Sequence, residues 1–202
     1  MKTAKINIPF IDRKIIKKKA DQFRRDYWNE EIPVDIEKII DNKLKIDIVV
    51  TAGLRDNFDI DAFITSDWSA IFVDLISFNN ERLKNRLRSS LAHEIGHYIL
   101  HKEIYESFGV ETEADYYRHY ERLPQDEYNK LEVQAFIFAG YLLVPRDRLE
   151  LEKKSIMEKV KDTEKFDPEM MREYLAQYLS KKFGISSDAM QFILNFDDRN
   201  KQ

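Results

Sequence analysis

Two histidines and one glutamate form the most chemically informative pattern in the sequence, in the segment His93-Glu94-Ile95-Gly96-His97. The segment lies in a stretch that the sequence predicts to be one helix, from Asn80 to about His101. Residues four apart on an α-helix lie about 6 Å apart along its axis and on one side, so both imidazoles can reach one ion. In metal-dependent hydrolysis, a glutamate directly after the first histidine takes a proton from the metal-bound water. The pattern predicts a hydrolytic metal centre with Glu94 as general base.

The residues around the motif favour metal binding over two idle surface histidines. Apolar side chains cover most of the circumference of the predicted helix: Leu91, Ala92, Ile95, Tyr98, Ile99 and Leu100. Such a helix is buried. Burying histidines and a glutamate among apolar groups is costly unless they are paired or coordinate a metal. We therefore expect His93 and His97 to be metal ligands.

The remaining histidines are poor candidates for a third ligand, which catalytic zinc sites usually have. His101 would lie about 12 Å from His93 along the helix axis, too far for both to share an ion with His97. We expect it to face the C-terminal end of the helix dipole or to support a ligand. His119 lies in a polar, acidic stretch, and we expect a surface histidine there.

A carboxylate is a better third ligand, and several are available. The segment 131–145 is predicted to be a helix ended by its final proline, and Glu132 stands at the head of a stripe of small residues on it. A carboxylate there suits a helix packed closely against another. Spacing alone does not separate Glu132 from Glu127, Asp126 or the acids at 111–115.

The two segments together resemble the ImmA/IrrE-type metallopeptidases of bacteria, phages and mobile elements. The residues that carry the resemblance are Leu91-Ala92-His93-Glu94-Ile95-Gly96-His97-Tyr98-Ile99-Leu100-His101 and then Glu132-x-x-Ala135-x-x-Phe138-Ala139-x-x-Leu142-Leu143-x-Pro145. Weaker similarity in 32–40 and 179–190 extends it to roughly residues 25–195. The resemblance implies a zincin-like minimal core in which His93, His97 and Glu132 bind zinc and Glu94 is the general base.

The same resemblance implies a zinc-dependent endopeptidase, with one Zn²⁺ per chain, that cleaves a repressor or other regulatory protein. Two histidines and a carboxylate also suit Mn²⁺ or Fe²⁺. The chain departs from the family pattern at Ser89-Ser90, where Phe-Thr is usual, at Phe136, where Asn is common, and at Val144, where Met is frequent. These positions concern the substrate groove and the surroundings of the ligands. The oxyanion-stabilising group is open among Tyr98, His101, His119 and the tyrosines of 102–130.

Composition agrees with one domain over residues 1–202. The chain is 43% hydrophobic and 12% aromatic, enough for a packed core. It has no cysteine, which excludes disulfides, thiolate metal sites and thiol catalysis, and fits a reducing compartment. No apolar run approaches the ~20 residues of a membrane helix, and the basic N-terminus has no signal-peptide core. We expect a cytoplasmic protein without membrane association; the oligomeric state is not predicted.

Three predicted strands lie between predicted helices, which indicates an α+β fold. The N-terminal helices are predicted at 14–27 and 34–41, and the strands at 45–51, 58–65 and 70–77. We expect N-terminal helices within 1–44, a three-stranded sheet within 45–77, and metal-site helices within 80–145. The sheet should pack on the helix that carries His93.

Residues 102–130 form an acidic, tyrosine-rich segment between the two ligand helices, longer than the resembling family has. It carries eight acidic and four basic residues with five tyrosines. A lid beside the cleft and a polar surface insertion with some helix are both compatible with this composition. An acidic rim would attract a basic substrate, such as the surface of a DNA-binding protein.

Residues 167–196 predict a pair of C-terminal helices with helix-turn-helix spacing. A helix that reads DNA should carry Arg, Lys, Asn or Gln towards bases and phosphates. The segment 186–196 has no Arg or Lys, it places Asp188 where phosphate would lie, and the net charge is −4. We expect a packing unit without specific nucleic-acid binding. The alternative function is a non-catalytic regulator that binds a repressor or DNA through this segment.

Overall fold

A small mixed sheet packs on one of two long central helices in the computed structural model, which describes residues 7–160 and 167–199. The helices are α1 (Arg13–Tyr27), α2 (Ile36–Lys38), α3 (Leu54–Phe58), α4 (Leu75–Asn79), α5 (Lys84–Leu100), α6 (Lys102–Glu106), α7 (Glu113–Arg122), α8 (Gln125–Leu143), α9 (Arg146–Val160), α10 (Pro168–Phe183) and α11 (Ser187–Arg199). The strands are β1 (Asp47–Thr51), β2 (Ala62–Ile64) and β3 (Ala70–Asp74). The predicted α+β class is confirmed.

The N-terminal helix α1 packs on α8 and covers one side of the core. It begins where Asp12 Oδ1 accepts a hydrogen bond from the Lys14 amide at 2.7 Å, and its Ile16 and Phe23 are buried. The helix predicted at 34–41 begins at Ile36 and continues as a π-helix over Ile39–Leu44. The prediction was right about a helix here and wrong about its length and type.

The sheet has the order β1-β3-β2, with β3 parallel to β1 and antiparallel to β2. All three strands are shorter than predicted, and β1 begins at Asp47 and not at residue 45. Phe58, the first residue of the predicted second strand, is the last residue of α3, and β2 itself starts at Ala62. β3 ends at Asp74 because its Oδ1 accepts hydrogen bonds from the Ile76 and Ser77 amides, which caps α4. The β-branched and aromatic residues of this segment predicted strand up to residue 77, but the Asp74 cap starts a helix at Leu75.

The central helix α5 packs on the sheet through β2 and on α8 along its other side. Its Leu91 and Ile95 are buried in one core with Ile64 of β2 and Phe138 of α8. The predicted contact between the sheet and the metal-site helix is confirmed. A short 3₁₀ turn over Glu81–Leu83 precedes α5, so the helix predicted from Asn80 begins about one turn later.

Residues 102–130 are mostly helical and run from the end of α5 to the first turn of α8. α7 begins with a capping box in which Thr112 and Asp115 each accept a hydrogen bond from the other's backbone amide. α6 places Tyr105 and α7 places Tyr116 beside the ligand helices. The segment is helical, as one interpretation expected, and it borders the cleft; the interpretation as a lid stays a prediction.

The C-terminal helices α10 and α11 pack against each other, as predicted for 167–196. Gly184 joins them with φ of +63°, a left-handed conformation that favours glycine. Asp167 occupies the predicted cap of α10, but its side chain makes no capping hydrogen bond. The buried Leu179 and Met190 belong to the main core, which fits a packing unit; DNA binding stays untested.

Within residues 7–160 and 167–199, no helix combines the length and apolar character needed to cross a membrane.

Candidate metal centre

Three side chains converge between α5 and α8: His93 and His97 from one helix and Glu132 from the other. The Nε2 atoms of His93 and His97 are 3.0 Å apart. His93 Nε2 lies 3.0 Å from one carboxylate oxygen of Glu132, and His97 Nε2 lies 3.4 Å from the other. Each residue thus points a ligand atom at one common point.

The spacing of these atoms matches a tetrahedral ion. Zinc binds imidazole nitrogen and carboxylate oxygen at about 2.0–2.1 Å, and tetrahedral geometry then separates neighbouring ligand atoms by about 3.3 Å. The 3.0 Å between the two imidazole nitrogens and the 3.0 Å between His93 Nε2 and one oxygen of Glu132 lie near that value, and the 3.4 Å contact of His97 is made to the other oxygen of the same carboxylate. Two neutral imidazole nitrogens and a carboxylate are also the donors that a catalytic zinc takes, so the residues fit the ion.

The pKa shifts of the three groups follow from burial and from each other. Burial opposes ionisation of Glu132, but hydrogen bonds and charge from the two histidines outweigh it and hold its pKa well below the usual range. Burial also opposes protonation of His93, yet Glu132 raises the pKa of that ring above its usual value. The more buried His97 keeps a lowered pKa. An anionic carboxylate between imidazoles is a site prepared for a cation.

A chain of hydrogen bonds behind His97 fixes which of its nitrogens carries the proton. The Pro9 carbonyl can only accept, so Gln134 donates to it through Nε2 at 2.9 Å. Gln134 Oε1 must then accept from His101 Nε2 at 3.1 Å. His101 Nδ1 is left as the acceptor for the Nδ1 proton of His97, at 3.0 Å. His97 Nε2 therefore presents its lone pair to the metal position.

The structure thus places His101 behind a ligand, which was one of its two expected positions. It is buried, and burial first and His97 second lower its pKa to about 3, so the ring is neutral and can accept. Gln134 was not identified from the sequence. A glutamine in the middle of an apolar helix face could have been the signal, because a buried amide needs partners.

Glu94 lies beside the ligand atoms without joining them. It is only 6% exposed, and its Oε2 accepts a hydrogen bond from the Ile64 amide of β2 at 3.0 Å. Burial raises the pKa of the carboxyl to about 8, with the charge of His93 acting in the opposite direction. Because Ile64 occupies Oε2, Oε1 is the oxygen free to exchange a proton in the cleft.

The cleft around these groups is lined by Tyr105, Tyr116 and Tyr128, all from the acidic segment. The ring of Tyr105 lies 4.7 Å from that of His97. Burial raises the pKa of Tyr105 and of Tyr116 far above the usual value, so both stay neutral hydroxyl donors. The remaining candidates for the oxyanion lie elsewhere. Tyr98 packs on Trp68 and His119 on Phe108, where His119 is half-buried and not a surface residue.

The other carboxylates considered as the third ligand lie apart from the histidines. Glu127 accepts hydrogen bonds from the Ile8 amide and from Lys130. Glu113 accepts one from Thr51, and Asp115 belongs to the cap of α7. Among the described residues, only Glu132 completes a cluster with His93 and His97.

Comparison with protein families adds an independent observation. Residues 56–195 match the IrrE N-terminal-like domain, Peptidase_M78. The chain belongs to this family. The match contains α5 and α8 and begins after α1 and α2, so it is shorter at the N-terminus than the resemblance to residue 25 indicated. Membership makes the chain part of a metallopeptidase family, and no curated protein matches it closely enough to name a substrate.

Proposed function

We propose that the chain is a zinc-dependent endopeptidase whose ligands are His93, His97 and Glu132 and whose general base is Glu94. The observation that carries the proposal is the convergence of His93, His97 and Glu132, whose ligand atoms lie within 4.8 Å of one another, with a buried carboxyl beside them. Family membership supports the reaction class. A bound zinc ion would act as a Lewis acid on the scissile carbonyl and lower the pKa of water towards about 7.

The chain's own residues supply the remaining chemistry. Glu94 Oε1 accepts the proton of the attacking water and passes it to the amine that leaves, while the Ile64 amide keeps Oε2 in place. His101 and Gln134 hold His97 in the tautomer that binds through Nε2. The hydroxyls of Tyr105 and Tyr116 are neutral donors for the oxygen that becomes negative.

We further propose a regulatory protein as substrate, with a DNA-binding repressor as the main candidate. The support is the resemblance described above and an acidic surface beside the cleft. Glu103, Glu106 and Glu111 are exposed on the segment that also supplies the cleft tyrosines. Acidic groups favour approach of a basic partner surface. A substrate of that kind acts in the cytoplasm, where we place this chain.

The second candidate is a regulator that binds its partner without cutting it. Its support is the α10–α11 pair, which keeps helix-turn-helix spacing. The acidic first turn of α11 and the lack of Arg and Lys in 186–196 argue against DNA as that partner. Glu94 separates the two candidates, because a binding protein has no use for a proton acceptor.

The test compares the unchanged protein, Glu94→Gln and the matched control Glu158→Gln, which alters an exposed glutamate of α9 outside the acidic segment. Each is loaded with zinc and incubated with a candidate DNA-binding repressor, with and without chelator. We expect Glu94→Gln to keep metal and partner binding and to lose at least ~100-fold in cleavage rate. Glu158→Gln should cleave normally. If repressor release persists in Glu94→Gln without cleavage, the peptidase proposal is wrong. Reloading with Mn²⁺ or Fe²⁺ identifies the metal that supports activity.

A further inference from the structure

An apolar groove opens next to the metal cleft, between α8 and α11. Its α8 wall carries Val133, Phe136, Ile137 and Gly140, which follow helical spacing on one face. Its α11 wall carries Ala189, Phe192, Ile193 and Phe196 with the same spacing. Phe136 and Phe192 are each about half exposed, and their ring centroids are 5.6 Å apart in an edge-to-face contact. Single exposed apolar residues need no explanation, but a contiguous groove of them marks a binding surface.

The groove is continuous with the metal cleft, because Ser89 and Phe136 line both. Ser89 lies one helical turn before His93 on α5, and Phe136 lies one turn after Glu132 on α8. One turn is about 6 Å along a helix axis, and an extended chain advances about 3.3 Å per residue. A polypeptide held at the ligands would therefore reach the groove about two residues from the bond being cut.

At its other end, beyond Tyr116 and Tyr128, the metal cleft has a charged lining. There it opens into a cavity lined by Arg55, Asp56 and Asp59, which shares Tyr116 and Tyr128 with the metal cleft. One end of the cleft is therefore apolar and the other is charged. A substrate that fits both has large apolar side chains on one side of its scissile bond only.

We propose that the groove between α8 and α11 is the subsite that receives a large apolar side chain of the substrate polypeptide, about two residues from the cleaved bond. This inference rests on the proposed function, since it assigns a specificity to the same cleft. The occupant is a substrate segment, because the groove joins the ligands directly through Phe136 and Ser89. Phe136 stands where Asn is common in the resembling family, so this chain departs from the family pattern at the residue that joins the groove to the cleft.

Gly140 allows the groove to be filled without disturbing the fold. A Cβ built on Gly140 meets no atom within 4 Å, and the residue has ordinary helical geometry. Gly140→Leu therefore places a side chain in the groove and favours the helix at the same time. Phe136→Ser removes the largest apolar side chain of the α8 wall. Phe78→Ser is the matched control, because Phe78 is 49% exposed against 51% for Phe136 and lies outside the groove.

The experiment uses the full zinc-loaded chain and a pool of random 14-residue synthetic peptides, with the products sequenced by mass spectrometry. We expect Leu, Ile, Val, Met or Phe to be enriched within three residues of the cleaved bond, on one side only. Gly140→Leu and Phe136→Ser should reduce cleavage of peptides with such an apolar residue about tenfold relative to peptides that lack one. Tenfold is the scale for burying one large apolar side chain. Phe78→Ser should keep the preference.

Binding to zinc-loaded Glu94→Gln separates this inference from the proposed function. A synthetic 14-residue peptide that carries Leu, Met and Phe and a fluorophore should bind, and its affinity should fall when Gly140→Leu is added. Cleavage without any apolar preference would overturn the inference and leave the peptidase intact. Groove-dependent binding without cleavage by the unchanged protein would keep the subsite and end the peptidase proposal. A dimer that Phe136→Ser dissociates, with no peptide binding, would make the groove an interface between copies and refute the subsite.

Discussion

Gly96 sets the distance between the two ligand helices, and Gly96→Ala should weaken the metal site. A Cβ added at Gly96 would lie 2.9 Å from both the Cα and the carbonyl oxygen of Ala135 on α8. These are backbone atoms, so no side chain can turn away to make room. Gly96 adjoins His97, and Ala135 follows Glu132 by three residues on the same helical face. Any separation of the helices at this crossing therefore acts on the ligand atoms.

The size of the effect follows from contact distances. Carbon atoms pack at about 3.5–4.0 Å, so the observed 2.9 Å requires roughly 0.6 Å of extra separation at Gly96. Metal–ligand distances tolerate only about 0.2 Å. We expect metal affinity to fall by about 10–100-fold, as when groups that support ligands are lost. Overpacking costs about 1–3 kcal/mol, and the better helix propensity of alanine returns up to about 1 kcal/mol.

The assay is a competitive zinc titration against a chromogenic chelator, with thermal unfolding of the metal-free protein alongside. Gly140→Ala is the control, because it makes the same change on α8 where nothing lies within 4 Å. It should keep metal affinity and gain about 0.5–1 kcal/mol in the free energy of unfolding. If Gly96→Ala binds zinc as tightly as Gly140→Ala, the crossing does not control the ligand geometry.

Three further predictions address the ligands, the hydrogen-bond chain and the buried carboxyl. Glu132→Ala should lose the single bound metal while Glu127→Ala keeps it, measured by metal content after gel filtration, and the reverse result would misplace the third ligand. Gln134→Leu should lower zinc affinity about 10–100-fold with little change in fold, because His101 and then His97 lose their fixed tautomers; unchanged affinity would contradict the assigned proton positions. In the metal-free protein, the raised pKa of Glu94 means that the folded state holds a proton that the unfolded state releases above about pH 4.5. Glu94 should therefore lower the free energy of unfolding progressively from about pH 4.5 to pH 8, by up to about 5 kcal/mol. Urea unfolding at several pH values should show this loss as a pH-dependent difference in the free energy of unfolding between the unchanged protein and Glu94→Gln. A difference that does not change with pH would contradict the assigned burial.

Local patterns in the sequence were sufficient to find α5, α8 and the two histidines that α5 contributes. The spacing of His93 and His97 is a property of one helix, so it could be read without knowing the fold. The pairing with Glu132 depends on how two helices cross, and the residues alone left it open among several acids. Among the described residues, the structure brings Glu132 to the two histidines, where α8 approaches α5 closely at Gly96.

Other parts of the site depend on contacts that no local pattern contains. The tautomer of His97 is fixed by Gln134 and finally by the Pro9 carbonyl, 125 residues from Gln134 along the chain. Glu94 is held by an amide of β2, a strand whose start was misplaced because α3 takes its predicted first residue. Contacts between residues far apart in the chain determine the protonation states in the site. The periodicity of the sequence predicts only the helices that carry the site residues.

Because the ligands come from two helices, metal binding and helix packing are linked. Without the ion, the crossing of α5 and α8 brings the two imidazoles and the Glu132 carboxylate within 3.0–3.4 Å of each other, and burial penalises any charge left there. A cation compensates the carboxylate and joins both helices, so it should bind the folded chain far better than the unfolded one. At a zinc concentration 1,000 times the dissociation constant, this linkage amounts to about 4 kcal/mol of added stability. Gly96 and Ala135, the small residues at the crossing, would therefore serve the proposed metal site as well as the core, since they allow the helices close enough for one ion to bridge them.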